Sequence, residues 1–85
     1  MAEQTTAART SAAELQLSME HPSEMFIRQY ALEVFGDENR TKNWLKSEIL
    51  ALGGTTPESL LGSAEDEHLR RVLSVLVQID YGVVA

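Results

Sequence analysis

The chain reads as all-α, a small compact bundle of about four helices behind a frayed N-terminal tail. Three observations predict this. No stretch alternates apolar and polar residues with the two-residue period of a strand; apolar residues instead recur three and four apart, in separate segments. Glycine, proline and the capping residues Ser, Thr and Asp fall between those segments, where helices stop and restart. With 85 residues, 44% of them hydrophobic, the chain makes one domain at most, and a domain this small buries only about 60% of its unfolded surface. Its core is thin.

Residues 1–20 are rich in Ala, Thr, Ser, Glu and Gln, with Leu15, Leu17 and Met19 as their sizeable apolar side chains. That is too little to bury, so they are expected as a flexible or partly helical tail with helix from Ser11 onward, followed by a helical domain over 21–85. Pro22 fits the first turn of a helix, where a missing N–H costs nothing. Phe26, Ile27, Tyr30, Ala31 and Val34 then recur at helical spacing until Gly36 stops the pattern. Asp37 is the next N-cap candidate, with Glu38 in the first turn and Arg40, Lys42 and Lys46 further along, matching the helix dipole. Trp44, Leu45 and Ile49 supply the apolar positions, Trp44 as a core anchor.

The run Leu52-Gly53-Gly54-Thr55-Thr56-Pro57-Glu58-Ser59-Leu60-Leu61 has a backbone explanation. A helix ending near Leu52 leaves unpaired carbonyls; a left-handed glycine closes them, and a second glycine lets the chain turn back. Thr55 or Thr56 can cap a short helix whose first residue is Pro57, ending at Gly62. Gly53, Gly54 and Pro57 are therefore structural. Ser63-Ala64-Glu65-Asp66 reads as a capping box, with Asp replacing the usual Glu or Gln, opening the longest helix, which runs to about Tyr81 before Gly82.

That last helix holds the most informative pattern. Leu69, Val72, Leu73, Leu76 and Ile79 form one stripe, and Val75 and Val77 widen it well beyond the ~100° of an ordinary surface helix. Arg70, Arg71, Ser74 and Gln78 mark the polar side. A thin core leaves part of so broad an arc for another macromolecule to cover, either a foreign protein or a second copy of the chain; the alternative is complete enclosure as the central helix of the bundle.

Several function classes lose support from composition. There is no cysteine, hence no disulfide or thiolate metal site, which suits a reducing, cytoplasmic setting. No apolar run approaches the ~20 residues of a membrane span, and the N-terminus lacks a signal-peptide pattern. A net charge of −6 and pI near 4.7 repel phosphate, and Lys42, Lys46, Arg40 and Arg70-Arg71 read as solvated positions, so nucleic acid is not an expected partner of this chain alone. Glu65-Asp66-Glu67-His68 resembles a ligand cluster, yet consecutive helical residues point apart and acids suit a first turn, so no metal is expected. His21 is solitary, and no serine has a histidine and a carboxylate at a recognisable spacing. Neither catalysis nor a cofactor is expected.

Taken in order, Ala31-Leu32-Glu33-Val34-Phe35-Gly36-Asp37, Trp44-Leu45, the Leu52 to Leu61 run and Ile79-Asp80-Tyr81-Gly82-Val83-Val84-Ala85 resemble the toxin-binding domain of Xre/MbcA/ParS-type antitoxins, over roughly residues 30–85. The resemblance implies an all-helical antitoxin of a type II toxin–antitoxin system that neutralises a RES-domain toxin, an enzyme that attacks NAD or uses it to modify a target, while performing no catalysis itself. It also implies that the C-terminal helix and residues 81–85 pack over the mouth of the toxin's NAD pocket, with Val75, Asp80, Tyr81, Gly82, Val83, Val84 and Ala85 as partner-binding residues. Two departures stand out. Family members commonly place a helix-turn-helix region ahead of this domain; the short tail here leaves no room for one, so autorepression is not expected of this chain. Where the family has a loop with Pro and Asn after the Trp-Leu pair, this sequence has Lys46-Ser47-Glu48-Ile49-Leu50-Ala51, and the helix is expected to run longer. Two other readings compete, a homodimerisation or adaptor module without a toxin and a small DNA-binding regulator.

Overall fold

The computed structural model describes residues 10–82. Among these residues five helices follow one another: α1 (Ala12–Glu20), α2 (Glu24–Phe35), α3 (Glu38–Leu45), α4 (Pro57–Gly62) and α5 (Asp66–Tyr81), with a 3-10 turn (Leu50–Leu52) between α3 and α4. The described residues form no strand, only an isolated bridge between Ile49 and Thr55. The all-α expectation holds.

Most helices begin at a side-chain cap. The hydroxyl of Ser11 accepts from the Glu14 N–H while the Glu14 carboxylate takes the Ser11 N–H, a complete capping box. Ser23, Asp37 and Thr56 accept from the backbone of the residue three further on, and Pro57 stands just inside α4 as expected. Left-handed glycines close α2 at Gly36 and α5 at Gly82.

Three boundaries differ from the sequence reading. Pro22 precedes α2 rather than opening it, because Ser23 supplies the cap. The helix after Asp37 does not extend toward Leu52; α3 stops at Leu45. The reason is local: the Ile49 N–H bonds the Thr55 carbonyl at 3.0 Å and the Ile49 carbonyl takes the N–H groups of Leu52 and Gly54, so the backbone of 49–55 is satisfied as a closed turn instead of a helix. Left-handed Gly53 and Gly54 make that turn feasible. Finally, α5 is entered through Glu65, which makes no side-chain cap bond, and Ser63 lies outside it. Ala64 takes a positive φ of 61°, and the Ser63 hydroxyl, donating to the Leu60 carbonyl and accepting from the Glu65 N–H, holds the strained connection.

The core forms around α5. Leu69, Val72, Leu73 and Leu76 are buried from its inner face, against Ile27, Tyr30 and Ala31 of α2, Leu60 and Leu61 of α4, Leu52 of the 3-10 turn and Leu15 of α1. Leu45 of α3 completes it, and Trp44 is half-buried with its ring tilted on Phe35 at 5.4 Å, an anchor at the edge of the core. Outside the core, Arg28 of α2 grips both oxygens of Glu58 on α4 at 3.0 and 3.1 Å and also meets Glu24. Every buried side-chain polar atom among the described residues has a hydrogen-bond partner.

Two outcomes are expected. Leu73→Ala should lower the unfolding free energy by about 2–5 kcal/mol in urea titration, as fully buried leucines do, whereas Leu50→Ser, at a side chain 91% exposed, should change it by less than about 0.5 kcal/mol. Hydrogen bonds from Arg28 hold the Glu58 carboxyl below its ordinary value near 4.5. A depressed acid contributes stability above its unfolded value and loses it as pH falls through the folded one. Glu58→Gln should therefore remove a small part of the decline below pH 4.5, about 0.5 kcal/mol at most for so exposed a pair, read from unfolding titrations at several pH values.

Candidate functional site

Residues three and four apart share a helical face, so α5 presents distinct sides. Its inner side is the core stripe just described. One flank holds Val75 and, a turn later, Ile79; Val75 is half-buried and Ile79 is 43% exposed. The opposite flank holds Ser74, Val77, Gln78 and Tyr81, and α1 lies beside it. Between the two helices runs an open groove of about 460 Å³ whose walls include Leu15 and Met19 from α1.

This arrangement divides the residues expected to meet a partner. Val75 belongs to one flank and Tyr81, 53% exposed, to the other. Asp80 points between them toward the core, where its carboxylate accepts a 2.6 Å hydrogen bond from the Tyr30 hydroxyl on α2. Tyr30 is completely buried, and this bond to a carboxylate ties the last turn of α5 to the body of the domain. Gly82 is exposed and left-handed, ending the helix. Val83, Val84 and Ala85 lie outside the described residues. Of the motif residues, Pro57 is buried, Trp44 half-buried, and Gly53 and Gly54 exposed in the turn.

The wide arc of α5 is thus enclosed on the inner side, partly covered on the α1 flank and open toward Ile79. Two contributors escaped the sequence reading. Leu50, the most exposed large apolar side chain among the described residues, stands on the hydrogen-bonded turn while Leu52, two residues on, is buried. Its signal was the Gly-Gly pair, which makes a turn of this segment and so places the two leucines differently. Arg70, read as a solvated cation, instead donates to the carbonyls of Met19 and Glu20 at the end of α1. No local signal marks that contact, because its partners are backbone groups about fifty residues away.

The start of α5 brings Ser63, Glu65 and His68 together, and the distances define what they do. His68 Nδ1 lies 2.8 Å from the Ser63 hydroxyl, but Nε2 is 3.9 Å from Glu65, beyond hydrogen-bond reach. The hydroxyl is already engaged by Leu60 and Glu65 backbone groups. This is a clasp for a strained helix start. Among the described residues no three His, Asp or Glu side chains group to hold a metal ion, and no helix is long and apolar enough to cross a membrane.

The long helix of this small domain leaves apolar side chains open at its C-terminal end, a surface available to another protein. Comparison gives the domain its family. Residues 31–82 match the antitoxin Xre/MbcA/ParS C-terminal toxin-binding domain, and the chain belongs to that family. No curated protein and no solved structure matches it. The matched stretch begins inside α2 and ends with Gly82, so it contains Asp80 and the open flank, while Tyr30, the donor to Asp80, stands one residue ahead of it.

If the Tyr30 hydroxyl fixes the end of α5, Tyr30→Phe should cost about 1.5–3 kcal/mol of unfolding free energy, the range for a hydrogen bond to a charged group. Hydrogen exchange should accelerate first at residues 78–82, with residues 69–76 still protected.

Proposed function

We propose that this chain is the antitoxin of a type II toxin–antitoxin pair and that its partner is a RES-domain toxin, an NAD-consuming enzyme whose active site it closes. The observation behind this reading is the exposure of Ile79 and Tyr81 at the C-terminal end of α5, within a domain of the antitoxin toxin-binding family. Inhibition is by exclusion: apolar side chains desolvate the rim of the pocket, Tyr81, Gly82, Val83, Val84 and Ala85 occupy its mouth, and the dinucleotide is kept out. A pocket built for an anionic dinucleotide carries basic groups, and the net charge of −6 draws this chain toward them. Asp80 acts chiefly through Tyr30, fixing the turn from which residues 83–85 follow. The antitoxin itself catalyses nothing, needs no cofactor and works in the cytoplasm.

The Val75–Ile79 flank supports a second occupant, another copy of this chain, in which case the domain is a homodimerisation or adaptor module. Sedimentation at several concentrations, with and without the toxin, separates the two. Co-expression with a RES-domain toxin tests the main reading. Removing residues 83–85 should leave circular dichroism nearly intact and restore toxicity, and Tyr81→Ala should weaken binding roughly thirtyfold, the measure of a ~2 kcal/mol hot spot. Full neutralisation by the shortened chain would refute the plug.

A further inference from the structure

The helix α1 is attached unlike the others. Leu15 is its one buried side chain, Met19 is half-buried, and Leu17 is 59% exposed. Its position is set at its two ends by polar groups from other helices. At the start, the Glu33 carboxylate of α2 takes both the N–H and the hydroxyl of Thr10, each at 2.9 Å. At the finish, Arg70 of α5 donates to the Met19 carbonyl at 2.5 Å and to the Glu20 carbonyl at 3.3 Å. Those carbonyls belong to the last turn of α1, where helical partners run out. Between the two clasps Leu15 enters the core and Met19 packs beside it, and an open groove that both help to line runs between α1 and α5.

A helix of nine residues does not persist in water by itself, so α1 is helical only while it is docked. A segment with few buried contacts, held by partly exposed hydrogen bonds, is where local opening begins. Moreover, α1 lies entirely ahead of residues 31–82, so the toxin-binding domain of the family is defined without it.

We propose that α1 is a strap across the Val77–Tyr81 flank of α5, that it detaches as a unit about His21, Pro22 and Ser23 while the other helices stay folded, and that an amphipathic helix of the toxin takes its place. The toxin as occupant rests on the function proposed above; the detachment rests on how α1 is held, a nine-residue helix with one buried side chain between two polar clasps. The bound strap itself shows what the groove accepts: an apolar stripe in the positions of Leu15 and Met19, and terminal carbonyls or a carboxylate facing Arg70.

Hydrogen exchange followed by mass spectrometry on the full chain decides it. Amides of 12–20 should exchange at least tenfold faster than those of 69–76. In the double variant Glu33→Ala with Arg70→Met they should lose protection, while the remaining helices keep theirs and an apolar fluorescent dye gains a binding site. Exchange of 12–20 at the same rate as the core, or global unfolding of the double variant, overturns the strap. Adding a RES-domain toxin to the unaltered chain should expose 12–20 further; increased protection there overturns the exchange of occupants. Failure of the toxin to bind the chain at all would sink the proposed function, and the exchange of the free chain would still decide whether the strap opens.

Discussion

The burial of α5 is the constraint from which the rest of the architecture follows. In so short a chain a single long helix must supply the inner face against which several other elements fold, and Val72, Leu73 and Leu76 are fully enclosed for that reason. α2 lies along it, α4 and the 3-10 turn close further parts of its surface, and α1 takes one flank. The shorter α3 is held against α2 and α4. A 16-residue helix has more circumference than these neighbours cover, and the uncovered end is where Ile79 and Tyr81 reach water.

With so little apolar surface to bury, the connections matter as much as the core. Side-chain caps at Ser11, Ser23, Asp37 and Thr56 each satisfy an orphan donor, worth about 1 kcal/mol apiece in a domain whose total stability is small. The entrance to α5 departs from this pattern, with Ala64 in a left-handed conformation and no side-chain cap at Glu65. The chain reverses there between α4 and α5, and the Ser63–His68 contact supports a turn that regular capping does not.

Toxin binding places its own demand on this frame, because an apolar surface that meets a partner loses less entropy on binding when it is already rigid. The Tyr30–Asp80 bond meets that demand at the last turn of α5, anchoring the open end to the fully buried centre of α2. Polar groups also fasten the periphery: Arg28 joins α2 to α4, Glu33 receives Thr10, and Arg70 receives the end of α1. The core decides that the helices pack; these contacts decide where the outer ones stop.

The sequence alone determined whatever has a local cause. The all-α class, the stops at Gly36 and Gly82, the helix start at Ser11, the cap at Asp37, a threonine cap ahead of Pro57, the opening of α4 at Pro57 and the family resemblance through the Gly-Gly-Thr-Thr-Pro run are all set by residues within a few positions of one another. Tertiary structure decided what depends on distant groups. The end of α3 was misplaced because the carbonyl that captures the Ile49 N–H lies beyond the two glycines. Arg70 looked solvated because its partners are backbone carbonyls of α1. The division of α5 into an enclosed side, a strapped flank and an open one could not be read from its apolar arc, since helical periodicity says which residues share a face and only the packed neighbours say which face stays bare.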